Sequence, residues 1–215
     1  MEQRSDEWFE IRRGKITSSR IADMLARTKS GWGASRARYK SDLIIERLVG
    51  VTVDTFKSAA MLEGIEMEPR AVEAYEFYQC ERTSEVAFVQ HPTIEMAGAS
   101  PDRLVESGGL LEVKCPQPKA HWEILVARKI PGDYLKQMLW QLACAPERTF
   151  NDFVSYNDKF PAHLSLYCQR VQRKENAETI AEMEAEAIKF LAEIEKEMAI
   201  VEKHFPPPPE LHGLA

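Results

Sequence analysis

The chain has few of the features that usually announce a bound transition metal or a redox centre. Its four cysteines, Cys80, Cys115, Cys144 and Cys168, form no CxxC pair. That argues against zinc, a redox dithiol or an iron–sulfur cluster, and for reduced, mostly buried thiols. The five histidines show no HxH or HxxxH spacing, so a histidine-ligated metal is not expected. No apolar run is long enough to span a bilayer. The first residues, Met1-Glu2-Gln3-Arg4-Ser5-Asp6, are polar, so no signal peptide is expected either. The expected setting is the cytosol, without a membrane partner. Net positive charge is also missing: 28 Lys and Arg stand against 34 Asp and Glu, a balance of −6, which does not by itself suggest a polyanion partner. No internal repeat is visible.

The 215 residues, 44% of them hydrophobic, are enough for one domain with a real core, or one domain plus a helical appendage. Charge is unevenly spread. Arg12, Arg13, Lys15, Arg20, Arg27, Lys29, Arg36, Arg38 and Lys40 make the N-terminal region basic, and the stretch from Glu175 to Glu202 is acidic. A basic entrance with an acidic exterior suits an enzyme that moves along a polyanion. A helix surface with sorted charges reads the same way.

The most informative stretch is Ser100-Pro101-Asp102 followed, after the turn Ser107-Gly108-Gly109, by Glu112-Val113-Lys114. Phe88-Val89 and Met96 to Ala99 read as strand, continued by Arg103-Leu104-Val105. In the next strand the two-residue period puts Glu112 and Lys114 on one face. Asp102 can lie across from them on the neighbouring strand, and Pro116 ends the run. Two carboxylates suit a hard cation such as Mg²⁺, which prefers oxygen and keeps several waters. A lysine beside them can orient or deprotonate a water and offset charge on a pentavalent phosphate. This is the layout of a metal-dependent nuclease core. An ordinary hairpin with solvent-facing charges accounts for the same residues.

Elsewhere the spacing predicts two short helices around a break from Ser5 to Leu25, with Ser19 capping the second. A flexible loop is predicted at Ser30 to Ser35, and helices over Tyr39–Gly50, Ala60–Cys80, His121–Arg128 and Tyr134–Ala145. Pro69 is expected to bend the Ala60–Cys80 helix or to restart it. Strands are predicted over Phe150–Tyr156 and Leu164–Val171. A long helix is predicted over Glu175–Phe205, with Ile180, Met183, Ala187, Leu191, Ile194, Met198, Val201 and Phe205 on one stripe. That stripe packs on its own subunit or on a neighbour's. A polyproline tail follows from Pro206. The expected fold class is α/β (α+β), a central mixed sheet flanked by helices. The expected division is a helical part at 1–57, a core at 58–174, a C-terminal helix at 175–205 and a tail at 206–215.

Four separated segments together resemble the phage lambda-type exonucleases, the viral recombinase nucleases of the PD-(D/E)xK superfamily. They are Trp8 with Arg12-Arg13-Gly14-Lys15-Ile16-Thr17-Ser18-Ser19, Gly64-Ile65-Glu66-Met67-Glu68-Pro69, Ser100-Pro101-Asp102 with Leu111-Glu112-Val113-Lys114-Cys115-Pro116, and Tyr134-Leu135-Lys136-Gln137. The resemblance implies a restriction-endonuclease-like core and a Mg²⁺-dependent 5′→3′ exonuclease acting on linear double-stranded DNA ends. Two Mg²⁺ per site are implied, with Mn²⁺ as a substitute. It further implies a homotrimeric ring, a single-strand annealing protein as partner in recombination, and the host cytosol if the gene is phage-borne. Position by position, it implies Asp102, Glu112 and the Val113 carbonyl as metal ligands, Lys114 as the catalytic lysine, Glu68 as the acid near a second metal, and Gln137 at the edge of the site. Arg12, Thr17 and Ser19 match residues that receive a 5′-phosphate. An endonuclease of restriction or repair type and an idle DNA-binding module are the rival readings.

Three positions depart from the family pattern. Lys29 or nearby Arg27 stands where a second phosphate-binding arginine is usual. Leu139 replaces a glutamine, with Gln141 two residues on, and Glu63 replaces an aromatic.

Overall fold

The computed structural model of the protein describes residues 2–52 and 59–206. Most of the expected polyproline tail and the boundary expected at residues 57 and 58 lie outside the described residues. In chain order the elements are α1 (Asp6–Arg12), β1 (Ile16–Thr17), α2 (Ile21–Met24), β2 (Arg27–Thr28), β3 (Gly31–Trp32), α3 (Ala34–Val49) and α4 (Ala59–Gln79). There follow β4 (Thr83–Ser84), β5 (Val89–Gln90), β6 (Ala97–Ala99), β7 (Arg103–Val105) and β8 (Gly109–Lys114). The chain continues with α5 (Pro118–Ala127), α6 (Gly132–Cys144), β9 (Phe150–Tyr156), β10 (Leu166–Gln172) and α7 (Ala177–His204).

The main sheet has the order β10-β9-β8-β7-β4. It is mixed: β8 and β9 run parallel, and the other neighbours are antiparallel. Parallel pairing requires a crossover, and α5 and α6 supply it. The central strand β8 is buried from Gly109 to Val113, because helices cover both of its faces. Leu110 joins the larger core with Met138, Trp140 and Phe153 on the α6 side. Leu111 and Val113 join Ala71, Val72 and Tyr75 of α4 on the other. The two-residue period therefore sends Glu112 toward α6. Gly109 is required where β8 begins: a Cβ there would stand 2.1 Å from the Phe150 ring on β9.

Several sequence expectations are corrected. The break between the first two helices is a strand, β1, parallel to β6 in a small sheet of order β1-β6-β5. Ser30 to Ser35 is no loose loop. Gly31 and Trp32 pair with Thr28 and Arg27 in a hairpin, and α3 starts at Ala34. The strand expected to run on from Ala99 through Arg103 is two strands in two sheets, separated at Ser100-Pro101-Asp102. The helix α4 continues through Pro69.

Part of the basic N-terminal region is neutralised by the acidic C-terminal helix. Arg36 is buried and bonds Glu186 and Glu193 at 2.9 and 2.8 Å. Its guanidinium also stacks on Trp32 and Phe190, at 3.8 and 4.7 Å from the ring centroids. Lys40 meets Glu197 at 2.7 Å and Arg47 meets Glu195 at 2.6 Å. These three cations therefore join α3 to α7 instead of facing an incoming ligand. The α7 stripe packs on its own chain through Ile180, Met183, Ala187, Phe190 and Ile194. Phe190, absent from the predicted stripe, is fully buried, whereas Val201 and Phe205 are exposed. Trp32 is sandwiched between Arg27 and Arg36, each 3.8 Å from its ring centroid.

Candidate active site

Beyond Leu111, which pairs with Arg103, the register of β8 with β7 ends. Asp102 fills this opening in the ladder. Its N–H donates to the Leu111 carbonyl at 3.1 Å, and its Oδ2 accepts the Val113 N–H at 2.6 Å. Pro101 precedes it and fixes the turn out of β6. Asp102 is thus bound to the strand that carries Glu112.

Glu112 is 1% exposed and held from three directions. Gln137 Nε2 donates to Oε1 at 2.6 Å. Gln141 Nε2 donates to Oε2. The Lys114 ammonium forms an ion pair with Oε1. Gln137 and Gln141 are one helical turn apart on α6, so they reach the same carboxylate. Gln141 is in turn oriented by Asn151 on β9, whose Nδ2 donates to its Oε1 at 2.7 Å. Sequence reasoning gave Gln137 a place at the site and named Gln141 without a role. The signal available was the i, i+4 spacing on a helix already placed against β8. Leu139, the departure, is buried in the core.

The electrostatics follow from this crowding. Burial, together with the negative charges of Glu112 and Glu68, holds the Asp102 carboxyl well above the ordinary carboxylate range, against the opposing pull of Lys114. Burial disfavours the Lys114 ammonium, but Glu112 and Asp102 more than offset that and keep it protonated well above the usual lysine range. In this arrangement Lys114 is a proton-bearing cation rather than a free base. Its ammonium also lies 5.1 Å from the Tyr134 ring centroid.

Asp102, Val113, Lys114, Gln137 and Glu68 line a cavity of about 410 Å³. Arg12, Ser19 and Ser100 line the same cavity. Arg12 stacks on Trp8 at 3.9 Å, donates to Ser100 Oγ at 2.8 Å and reaches Ser19 Oγ at 3.5 Å. The Trp8 indole N–H also donates to Ser100 Oγ, at 3.0 Å. Among the described residues no carboxylate lies within ion-pair distance of Arg12. Burial lowers its pKa to about 10, so at neutral pH it remains a desolvated cation with room for an anion. Ser100 was read only as part of the motif before Asp102, and the structure makes it the hydroxyl nearest Arg12.

Ser19 does not cap α2. Its hydroxyl faces Arg12 and lies 3.4 Å from Thr17 Oγ1, and the residue preceding α2 makes no side-chain cap. Thr17 is buried and opens on a smaller hollow of about 140 Å³ shared with Arg12 and Ser19. Lys29 sits exposed in the turn between β2 and β3 and lines neither hollow. The hairpin that carries it is fastened to α7 through Trp32 and Arg36. Arg27 stacks on Trp32 and lies 3.9 Å from Glu186. Neither basic residue joins Arg12. Glu68 lies at the cavity edge, bonded to Arg4 at 2.9 Å, with Arg103 3.7 Å from its other oxygen.

Among the described residues no three His, Cys, Asp or Glu side chains close into a metal cage. The donors present still suit a hard divalent cation. They are all oxygen, two are crowded acids whose repulsion such an ion would relieve, and an ion that keeps most of its waters needs few protein ligands. A larger hollow of about 610 Å³ between α5 and α6, lined by Tyr134, contains none of these acids.

Residues 7–148 match the YqaJ-like viral recombinase domain. The chain belongs to the YqaJ-like viral recombinase family. Among solved structures this chain is similar to an alkaline exonuclease, LHK-Exo, from Laribacter hongkongensis. The two are 42% identical over 93% of this chain and 97% of that one, with a TM-score of 0.85. A structure of LHK-Exo in complex with dAMP matches over the same shares at 42% identity, with a TM-score of 0.86. A phage related exonuclease from Haemophilus somnus 129PT shares the fold, at 13% identity, a TM-score of 0.62, and 86% and 96% of the two chains covered. No curated protein sequence matches. No helix among the described residues is long and apolar enough to cross a membrane.

Proposed function

We propose that this chain, a deoxyribonuclease of the viral recombinase type, is a Mg²⁺-dependent 5′→3′ exonuclease. It removes nucleotides from one strand of linear double-stranded DNA and leaves a 3′ single-stranded overhang. The observation that carries this reading is the sharing of one 410 Å³ cavity by two functions. Its walls carry Asp102 and Lys114, the latter paired to the buried Glu112, and also a desolvated Arg12 with two serine hydroxyls. A phosphate at the end of a strand fits the second group, because a buried guanidinium and hydroxyls make charge-assisted bonds to an anion. The bond to be cut then lies toward the first. The dAMP bound by LHK-Exo is in keeping with a mononucleotide product.

Asp102, Glu112 and the Val113 carbonyl would hold one cation, and Glu68 with Asp102 a second. Bound there, the ions would polarise the phosphodiester and lower the pKa of a water. The chain's own groups do the rest. Gln137 and Gln141 hold Glu112 to one orientation. Lys114, protonated, orients the attacking water and offsets charge on the phosphate. Arg12, Ser19 and Ser100 fix the terminal phosphate and so set the length removed at each step. A grip on the terminal phosphate instead of on base edges favours sequence-independent digestion. The resemblance supports a homotrimeric ring around DNA, a single-strand annealing partner that receives the overhang, and the host cytosol as the place of action.

The test is digestion of linear duplexes with 5′-phosphate or 5′-hydroxyl ends beside closed circular DNA in Mg²⁺. The wild type is expected to degrade one strand of the phosphorylated linear duplex and to spare the circle. Arg12→Ala is expected to lose about 10- to 100-fold of the preference for phosphorylated ends, the worth of a charge-assisted contact. Cutting of the circle would replace the exonuclease with an endonuclease.

A further inference from the structure

Glu68, assigned above to a second cation, faces two guanidinium groups, and one of them is held unusually. Arg4 has φ +73°, a left-handed conformation that costs a side-chain-bearing residue energy. Its neighbours on both sides are fastened. Gln3 Nε2 donates to the carbonyls of Val86 and Pro101 at 2.8 and 2.7 Å. Ser5 caps α1 by accepting the Trp8 N–H at 3.3 Å. Between these clamps the strained Arg4 places Nη2 2.9 Å from Glu68 Oε2. Arg103 lies 3.7 Å from Oε1 and is itself tied to the Asp102 carbonyl at 2.7 Å. Strain held where a side chain enters a functional cavity marks a role beyond folding.

Resting on the metal assignment above, we propose that Arg4 is a competing counter-ion that sets how tightly the second divalent cation binds. The guanidinium occupies the carboxylate oxygen a cation would need, and two positive charges beside one carboxylate repel. Arg103 is fixed to the backbone of Asp102, so Arg4 is the one that can give way. Its side chain is 39% exposed, and a pair that open is weak and exchangeable. Arg4 also lines the cavity that holds Arg12. A DNA phosphate entering there offers it a replacement partner as it leaves Glu68. The second cation therefore loads most readily together with DNA, and the ion-free acids are not left unpaired between turnovers.

The test is a Mn²⁺ titration of the chelator-stripped full chain, read by electron paramagnetic resonance, which counts free and bound ions without any turnover. The wild type is expected to bind one ion more tightly than a second. Arg4→Gly relieves the backbone strain while removing the guanidinium. It is expected to tighten the second site about fivefold, the upper worth of an exposed ion pair, and to leave the first unchanged. Adding Glu68→Gln is expected to abolish the gain. A second-site affinity unchanged in Arg4→Gly, or a gain that survives Glu68→Gln, would overturn this inference alone. Absence of any site sensitive to Asp102→Asn would overturn the metal assignment and this inference with it.

Discussion

The buried amide Gln141 gives the sharpest test of how this site is held together. Its side chain is fully buried and spends both ends: the NH₂ on Glu112 and the carbonyl on Asn151. Gln141→Met preserves length and apolar fit while removing both bonds. The loss of one hydrogen bond to a charged group is about 1.5–3 kcal/mol. Asn151 keeps a second acceptor, the Met138 carbonyl at 3.2 Å, so its share of the loss is small. For a chain of this size about 2–4 °C of melting temperature accompanies each kcal/mol, so the variant should melt roughly 5–10 °C lower in chelator. Glu112 would keep Gln137 and Lys114 but lose its fixed rotamer. Cation affinity and digestion rate should fall about 10- to 100-fold, as they do when the supporting bond of a metal ligand is removed. Gln137→Met removes a half-buried partner that water can replace, so its melting point should move less. Thermal melting with and without Mn²⁺, followed by Mn²⁺ titration, reads both effects. A Gln141→Met protein that melts within about 1 °C of wild type and binds Mn²⁺ equally well would refute the claim that α6 positions Glu112.

Asp102 titrates above its unfolded counterpart, so the folded chain keeps a proton that the unfolded chain has already released. Without divalent ions, stability should therefore fall as pH rises from the ordinary carboxylate range through the raised value. Asp102→Asn, which retains an acceptor for the Val113 N–H, should flatten that fall. Over the same window cation affinity and digestion should rise, because the proton and the metal compete for one carboxylate. Melting curves in chelator at several pH values check the first expectation, and superimposable wild-type and variant profiles would contradict it. Arg36→Met should cost about 3 kcal/mol, as breaking a buried ion pair does, and should loosen the β2–β3 hairpin. Trp32 emission and urea unfolding would show both effects, and an unchanged midpoint would refute the role of Arg36 as the link between α3 and α7.

Much of the chemistry was legible in the sequence because it is written in short-range periodicity. A two-residue alternation put Glu112 and Lys114 on one face of β8 whatever packed against it. The long apolar stripe similarly made α7 a helix before its partner was known. Hidden from the sequence were matters settled by distant parts of the chain. Gln141 reaches Glu112 across 29 positions and Arg12 reaches Ser100 across 88, and no local pattern carries such a pairing. The basic residues around Arg36 looked free because their acidic partners on α7 lie about 150 positions away. Ser19 looked like a helix cap because capping is a local preference, whereas its real neighbours come from α1 and β1. The sequence by itself determined the chemical types and the strand and helices that carry them, since these follow from local backbone geometry and side-chain chemistry. Only the tertiary structure decided which charges are spent on holding the fold and which stay available in the cavity, because a charge is neutralised by what lies within a few ångströms of it and not by its neighbours in the chain.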